Sequence, residues 1–273
     1  MAGVACRPGL ATPMQRADPV RHCAPMRIED ILFSQGFGTR RACIALVRNS
    51  AVEVAGRVVD EPDKDFATAG LLFSVEGQTW PFHAQLLVML HKPAGYECSR
   101  TPQHHSSVLS LLPAPMRNRG LQPVGRLDQD TTGLLLLTDQ GPWLHRLTHP
   151  RRHVAKTYQV GTARAIEPAQ TAALLAGVVL NDDPEPLRAL ACEVQDPQTL
   201  LLTISEGRYH QVKRMVAAAG NHVQALHRIR FGPWSLPDDL AAGQWRYLPP
   251  LDTPLTGAQQ LAGAAAVVPG DGG

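Results

Sequence analysis

The chain has 273 residues, 44% hydrophobic and 18% charged, and its 26 Lys and Arg against 24 Asp and Glu leave a formal charge of +2. Such a length buries a proper core with room for one large domain plus a small one, and this composition is that of a globular protein. No apolar run reaches the roughly 18 residues of a membrane span, and no hydrophobic segment follows the first arginines, so neither a membrane anchor nor a secretory signal is expected.

Residues 1–25 alternate Pro, Ala and Arg without periodicity and are expected to be disordered, which makes Met26 a candidate start of translation. From Met26 the pattern predicts a short helix, a glycine-containing turn and a second helix from about Thr39, a plausible N-cap. A brief strand at 52–54, a turn at Gly56 and another strand follow. On the second helix Arg40, Arg41 and Arg48 share a face, and Cys43, Ala45, Leu46 and Val47 supply apolar contacts. Small helical RNA-binding modules are built this way. After a loose stretch near 74–85, "QLLVMLHKPAG" predicts a buried strand ending in a turn. Further strands are expected at 123–127, 134–138, 154–160, 188–194, 199–204 and 222–228, with helices at 142–149, 168–176 and 209–219. Clustered strands with irregularly spaced helices make this α+β, and no glycine-rich fingerprint points to a nucleotide cofactor. From about Leu251 the tail turns rich in Ala, Gly and Pro and is expected to be mobile.

The five cysteines (Cys6, Cys23, Cys43, Cys98, Cys192) are scattered without a C-x-x-C, which favours free thiols in the cytoplasm. Charge is unevenly spread. No Asp or Glu occurs between Glu97 and Asp128, between Asp139 and Glu167, or between Glu206 and Asp238. Those gaps hold Arg100, Arg117, Arg119 and Arg126, then Arg146, Arg151, Arg152, Lys156 and Arg164, then Arg208, Lys213, Arg214, Arg228 and Arg230. If the three segments meet, they form a positive surface suited to phosphates.

Within "GRLDQDTTGLLLLTDQG", at 125–141, Arg126 and Asp128 stand two apart and would emerge on one face of a strand. A cation that close favours the charged carboxylate that a nucleophile or general base requires. As an isolated pattern R-x-D is more often a turn, and spacing does not choose among Asp128, Asp130 and Asp139. Tyr158 lies in the acid-free "HVAKTYQV", and "ISEGRYHQVKRM" runs from a strand into a helix bearing Arg208, Lys213 and Arg214. His145, His149 and His153 recur every four residues like metal ligands, but Pro150 interrupts that helix and no carboxylate or thiolate lies among them.

"LHKPAGYECS", "VGRLDQDTTGLLLLTDQG", "HPRRHVAKTY" and "ISEGRYHQVKRM" followed by "GNHV" and "LHR" together resemble the RsuA family of pseudouridine synthases, over about Met26 to Pro250. The resemblance implies an S4-like RNA-binding domain at 26–75 and a catalytic domain at 84–250, the latter a mixed, largely antiparallel sheet with flanking helices. It implies isomerisation of a uridine in RNA without cofactor or metal. "EGRYHQVKRM" is nearer the branch acting on small-subunit ribosomal RNA, which implies 16S RNA and the position of uridine 516. Asp128 matches the catalytic aspartate, Tyr158 the aromatic that packs on the base, and Lys213 the cation paired with the aspartate. Arg126 and Arg208 are expected at the substrate, and Arg40, Arg41, Arg48, Arg151, Arg152 and Arg214 along the RNA. The expected partner is ribosomal RNA or a small-subunit assembly intermediate, met by a monomer. Alternatives are a 23S enzyme of the same family, a non-catalytic RNA-binding or assembly factor, and a hydrolase, which would need a second placed carboxylate.

Overall fold

The computed structural model describes residues 24–180 and 183–251. The expected disorder before Ala24, the tail after Leu251, and Cys6 and Cys23 lie outside the described residues. By internal contacts the chain divides into two units: residues up to Ile31 with Ile44–Phe82, and Leu32–Cys43 with the chain from His83 onward.

The helix Ile28–Ser34 and the helix Arg40–Arg48 form where expected. Thr39 caps the second: its hydroxyl accepts from the Ala42 amide at 3.2 Å and its carbonyl from Cys43 at 2.9 Å. Cys43 and Val47 are buried on that helix while Arg40, Arg41 and Arg48 are exposed. In the smaller unit an antiparallel sheet runs in the order Arg57–Val58, Val52–Val54, Leu72–Val75, Gln78–Pro81. Its last hairpin corrects the loose stretch expected at 74–85. Glu76 and Gly77 both adopt left-handed φ (51° and 81°), the geometry of a tight hairpin turn, and Trp80 pairs with Phe73. Glu-Gly is a weaker hairpin signal than Asn-Gly, which is why the turn escapes a sequence reading.

The larger unit carries a nine-stranded sheet, mixed and mostly antiparallel as expected. Its main path runs Ala191–Asp196, Thr199–Ile204, Lys156–Thr162, Val223–Phe231, Thr132–Thr138, Leu87–Lys92, Trp245–Leu248. Every neighbouring pair is antiparallel except the one at the centre, where Val223–Phe231 runs parallel to Thr132–Thr138 over two register pairs, His227 with Thr132 and Arg228 with Gly133. The leucine run is explained by burial on both faces. Leu135 and Leu137 join Val88, Leu90, Val160 and Met215 in one core, while Leu134 and Leu136 join Leu87, Met89, Trp143 and Phe231 in another.

Several boundaries differ from the sequence expectation. The strand expected at 123–127 is only Gln122–Pro123, because after Val124 the chain turns through left-handed Gly125 (φ 77°) and leaves the sheet. The expected strand at 188–194 starts at Ala191 and is preceded by an unforeseen hairpin of Val178–Leu180 with Asp183–Leu187. Three short features were also unforeseen: Val108–Leu111, Ala114–Asn118 and the edge strand Trp245–Leu248. The helix expected at 209–219 begins at Gln211.

Candidate active site

Beyond Gly125, residues 126–128 run outside any strand yet keep its alternation. Leu127 is buried and its amide donates to Cys98 Sγ at 3.4 Å, while Arg126 and Asp128 face a cleft of about 1000 Å³. Lys92, from the Lys-Pro-Ala-Gly stretch, holds the loop beyond Asp128 in place. Its fully buried ammonium donates to the carbonyls of Pro93 (3.0 Å), Gln129 (3.1 Å) and Thr131 (2.8 Å). Burial lowers the Lys92 pKa, and the nearby Cys98, Asp130 and Asp128 oppose that shift. Gly133 closes the loop at φ 104°, where a Cβ would stand 2.3 Å from the Arg228 carbonyl oxygen; only glycine lets the parallel strand come so near.

The opposing wall is the start of the helix Gln211–Ala218. His210 sits just before it in the left-handed region (φ 48°), a conformation that costs a non-glycine residue roughly 1–3 kcal/mol. That backbone sets its Nε2 3.3 Å from Asp128 Oδ1. One turn on, Lys213 Nζ lies 3.2 Å from Asp128 Oδ2 and 2.7 and 2.9 Å from the two oxygens of Asp130. For Lys213 burial favours loss of the proton, but the hydrogen bonds and charges of Asp130 and Asp128 outweigh it and raise the pKa. Asp130 is lowered in return, chiefly by its hydrogen bonds from Lys213. The buried side chain of Gln211 accepts from the Arg208 amide at 2.9 Å, tying down the approach to the helix. Across the cleft Glu97 accepts from the amides of His104 (2.9 Å), Gln103 (3.1 Å) and His105 (2.9 Å), which hold its carboxyl at about 2.

Arg126, Gly207 and Arg208 also line an adjoining cavity of about 300 Å³. Tyr158, Lys156, Arg228 and Phe231 complete much of its wall. Tyr158 is a core aromatic with an edge on that cavity: it packs in the main hydrophobic core and pairs in register with Leu202 and Arg228. Arg228, 2% exposed, donates from Nε to the Leu134 carbonyl at 2.8 Å and stacks its guanidinium on Phe231. Burial, with Arg228 adding to it, lowers Lys156 to about 8. The three acid-poor segments therefore meet: each contributes cations to these walls.

Asp128, Lys213, Arg126, Arg208 and Tyr158 are thus brought together, with Arg208 also bonded to Glu206 at 2.7 Å. Asp139 is not among them. It accepts from the Leu86 amide (2.9 Å) and Arg119 Nε (3.0 Å), which makes it a structural anchor. Arg214, on the same helix as Lys213, instead donates to the Tyr209 carbonyl at 3.2 Å, and Arg151 and Arg152 stand exposed on the turn Pro150–Arg152. The His145 and His149 rings pack 4.8 Å apart, His153 falls beyond that turn, and among the described residues no cluster of three or more His, Cys, Asp or Glu is placed to hold a metal ion. Sequence reading missed His210, the grip of Lys213 on Asp130, and the clamp of Lys92. Only the position of His210 beside Arg208 and Lys213 hinted at the first.

A family model described as RNA pseudouridylate synthase matches residues 86–218. The ribosomal small subunit pseudouridine synthase A of Haemophilus influenzae is 38% identical over 224 residues, 82% of this chain and 96% of its own length. The protein of the same name from Escherichia coli K12 is 40% identical over 230 residues, again 82% and 96%. Among solved structures, one described as the crystal structure of pseudouridylate synthase is 36% identical with a TM-score of 0.58, covering 82% of this chain and 96% of that one.

Proposed function

The chain belongs to the RsuA family of pseudouridine synthases and is an isomerase, and we propose that its substrate is a uridine of 16S ribosomal RNA, at the position of uridine 516. The observation that carries the site assignment is Asp128, held between His210 and Lys213 on a cleft that adjoins a cavity walled by an aromatic ring and cations. The names of the small-subunit relatives, and the resemblance of "EGRYHQVKRM" to that branch, support the choice of RNA.

The reaction breaks the bond between the ribose and N1 of uracil, turns the base, and joins C5 to the same ribose carbon. N1 gains the hydrogen that C5 loses, so nothing enters or leaves. Asp128 acts at the ribose as nucleophile or base. Lys213 compensates its charge and, by binding Asp130 as well, is kept from a single tight pair with Asp128. Tyr158 packs against the base, a contact worth about 1–3 kcal/mol in stacking. Arg126, shared by cleft and cavity, contacts phosphate or fills the space of the displaced base, with Arg208 beside it. Because the target bond is hidden in a stacked helix, the uridine is flipped out or already unpaired.

Arg151, Arg152 and Arg214 extend the RNA contact around this site, and Arg40, Arg41 and Arg48 supply one on an S4-like module at 26–75, with the catalytic domain at 84–250. The protein acts as a monomer, on 16S RNA or an assembly intermediate. Pseudouridine mapping in ribosomal RNA from cells with and without the protein tests the reading, alongside purified protein on 16S and 23S transcripts. Loss of one 16S pseudouridine is expected, and loss of a 23S site instead would overturn the choice of target.

A further inference from the structure

The isomerisation proposed above leaves one exposed ring of the cleft without a role. Tyr209 is 76% exposed, more than any other large hydrophobic side chain among the described residues. Its ring lies 3.8 Å from that of His210 at an interplanar angle of 23°, a stacked pair, and His210 in turn lies 3.3 Å from Asp128. The backbone beneath the pair is held: Arg214 donates to the Tyr209 carbonyl, and Gln211 accepts from the Arg208 amide just before it. Backed by the His210 ring on one side, Tyr209 leaves aromatic surface open to water, which a stacking partner would bury.

The surroundings define the partner. Tyr209 and His210 line the larger cleft together with Arg126, Arg208, His104 and His105, a wall rich in hydrogen-bond donors and cations. The smaller cavity beside Tyr158 accounts for one base, and the cleft, at about 1000 Å³ against about 300 Å³, has room for more of the strand. A flat ring with cations beside it suits a nucleobase with its phosphate, because stacking accepts any base and the phosphates meet the arginines. We propose that Tyr209, backed by His210, is a stacking subsite for an unpaired nucleobase adjoining the target uridine. The proposal rests on the reading of this cleft as the RNA site. Tyr209 would fix the register of the strand, so that the ribose beyond the stacked base comes to Asp128.

The test uses the full chain and two short single-stranded RNAs carrying 2-aminopurine immediately 5′ or immediately 3′ of a uridine. Stacking quenches the fluorescence of this base. Wild type is expected to quench one of the two probes, Tyr209→Phe to quench it equally, and Tyr209→Ala to lose the quenching and bind about tenfold more weakly. Circular dichroism checks that the alanine variant is folded. Binding and quenching unchanged in Tyr209→Ala would overturn the subsite while leaving the cleft as the RNA site. Failure of wild type to bind either probe would overturn both.

Discussion

Three aspartates stand within twelve residues of one another, and tertiary partners give each a different role. Asp139 is engaged by Arg119 and the Leu86 amide, Asp130 holds Lys213, and Asp128 faces the cleft. Asp128→Asn keeps the shape and removes the charge. It is expected to lower the single-turnover rate by roughly 10⁴-fold or more with RNA affinity largely kept; substantial turnover would move the chemistry to another carboxylate. Asp130→Asn deprives Lys213 of its main support against burial. The basic limb of the pH–rate profile should then move to lower pH, and an unmoved limb would mean that Lys213 keeps its charge without Asp130. In the sequence the motif singles out Asp128, whereas spacing alone leaves the choice open, because the partners that engage Asp139 lie at positions 119 and 86. His210 was not legible, since nothing in a sequence announces a left-handed backbone at a non-glycine residue.

Among the elements, those with strong periodicity were read well. The leucine strand, the tyrosine strand and the basic helix all fall near their expected places. Short hairpins with weak turn signals, such as Val178–Leu180 with Asp183–Leu187, did not show. Nor did the sequence reveal that Gly133 serves a close strand approach. Gly133→Ala combines left-handed strain with a collision against the Arg228 backbone, and should destabilise the protein by at least about 2 kcal/mol, measured by urea unfolding. The tyrosine strand begins at Lys156, lowered to about 8 by burial. Between about 8 and its ordinary 10.5 the unfolded chain keeps a proton that the folded chain has released, so this lysine makes stability rise with pH across that window. As pH rises through about 8 the cavity loses a cation, and RNA affinity should fall. Comparison with Lys156→Met at several pH values isolates both effects; a parallel pH dependence in the two proteins would refute the assignment.

For the whole molecule, phosphate contacts distant in sequence from the chemistry should govern affinity and leave the reaction alone. Neutralising Arg40, Arg41 and Arg48 together is expected to weaken RNA binding and flatten its salt dependence, each lost contact reducing the slope by about 0.7 to 0.9. A collapse of the saturated rate with unchanged affinity would instead give that helix a part in shaping the site. The parallel pairing at the centre of the large sheet has a bearing on the order of assembly. It joins two antiparallel halves by two register pairs, and residues 139–222 must be traversed before it can form. Asp128 and Asp130 come from the chain entering one half, while Tyr158, His210 and Lys213 come from the other. Local hairpins can form early, but this join closes a long loop at high entropic cost, as does the pairing of Trp245–Leu248 with Leu87–Lys92. In refolding from urea, sheet circular dichroism should therefore return before RNA-modifying activity, and a single shared rate would contradict this order. A half-folded chain would then carry each residue of the proposed site without ever placing them together, so that catalytic competence would mark completed folding.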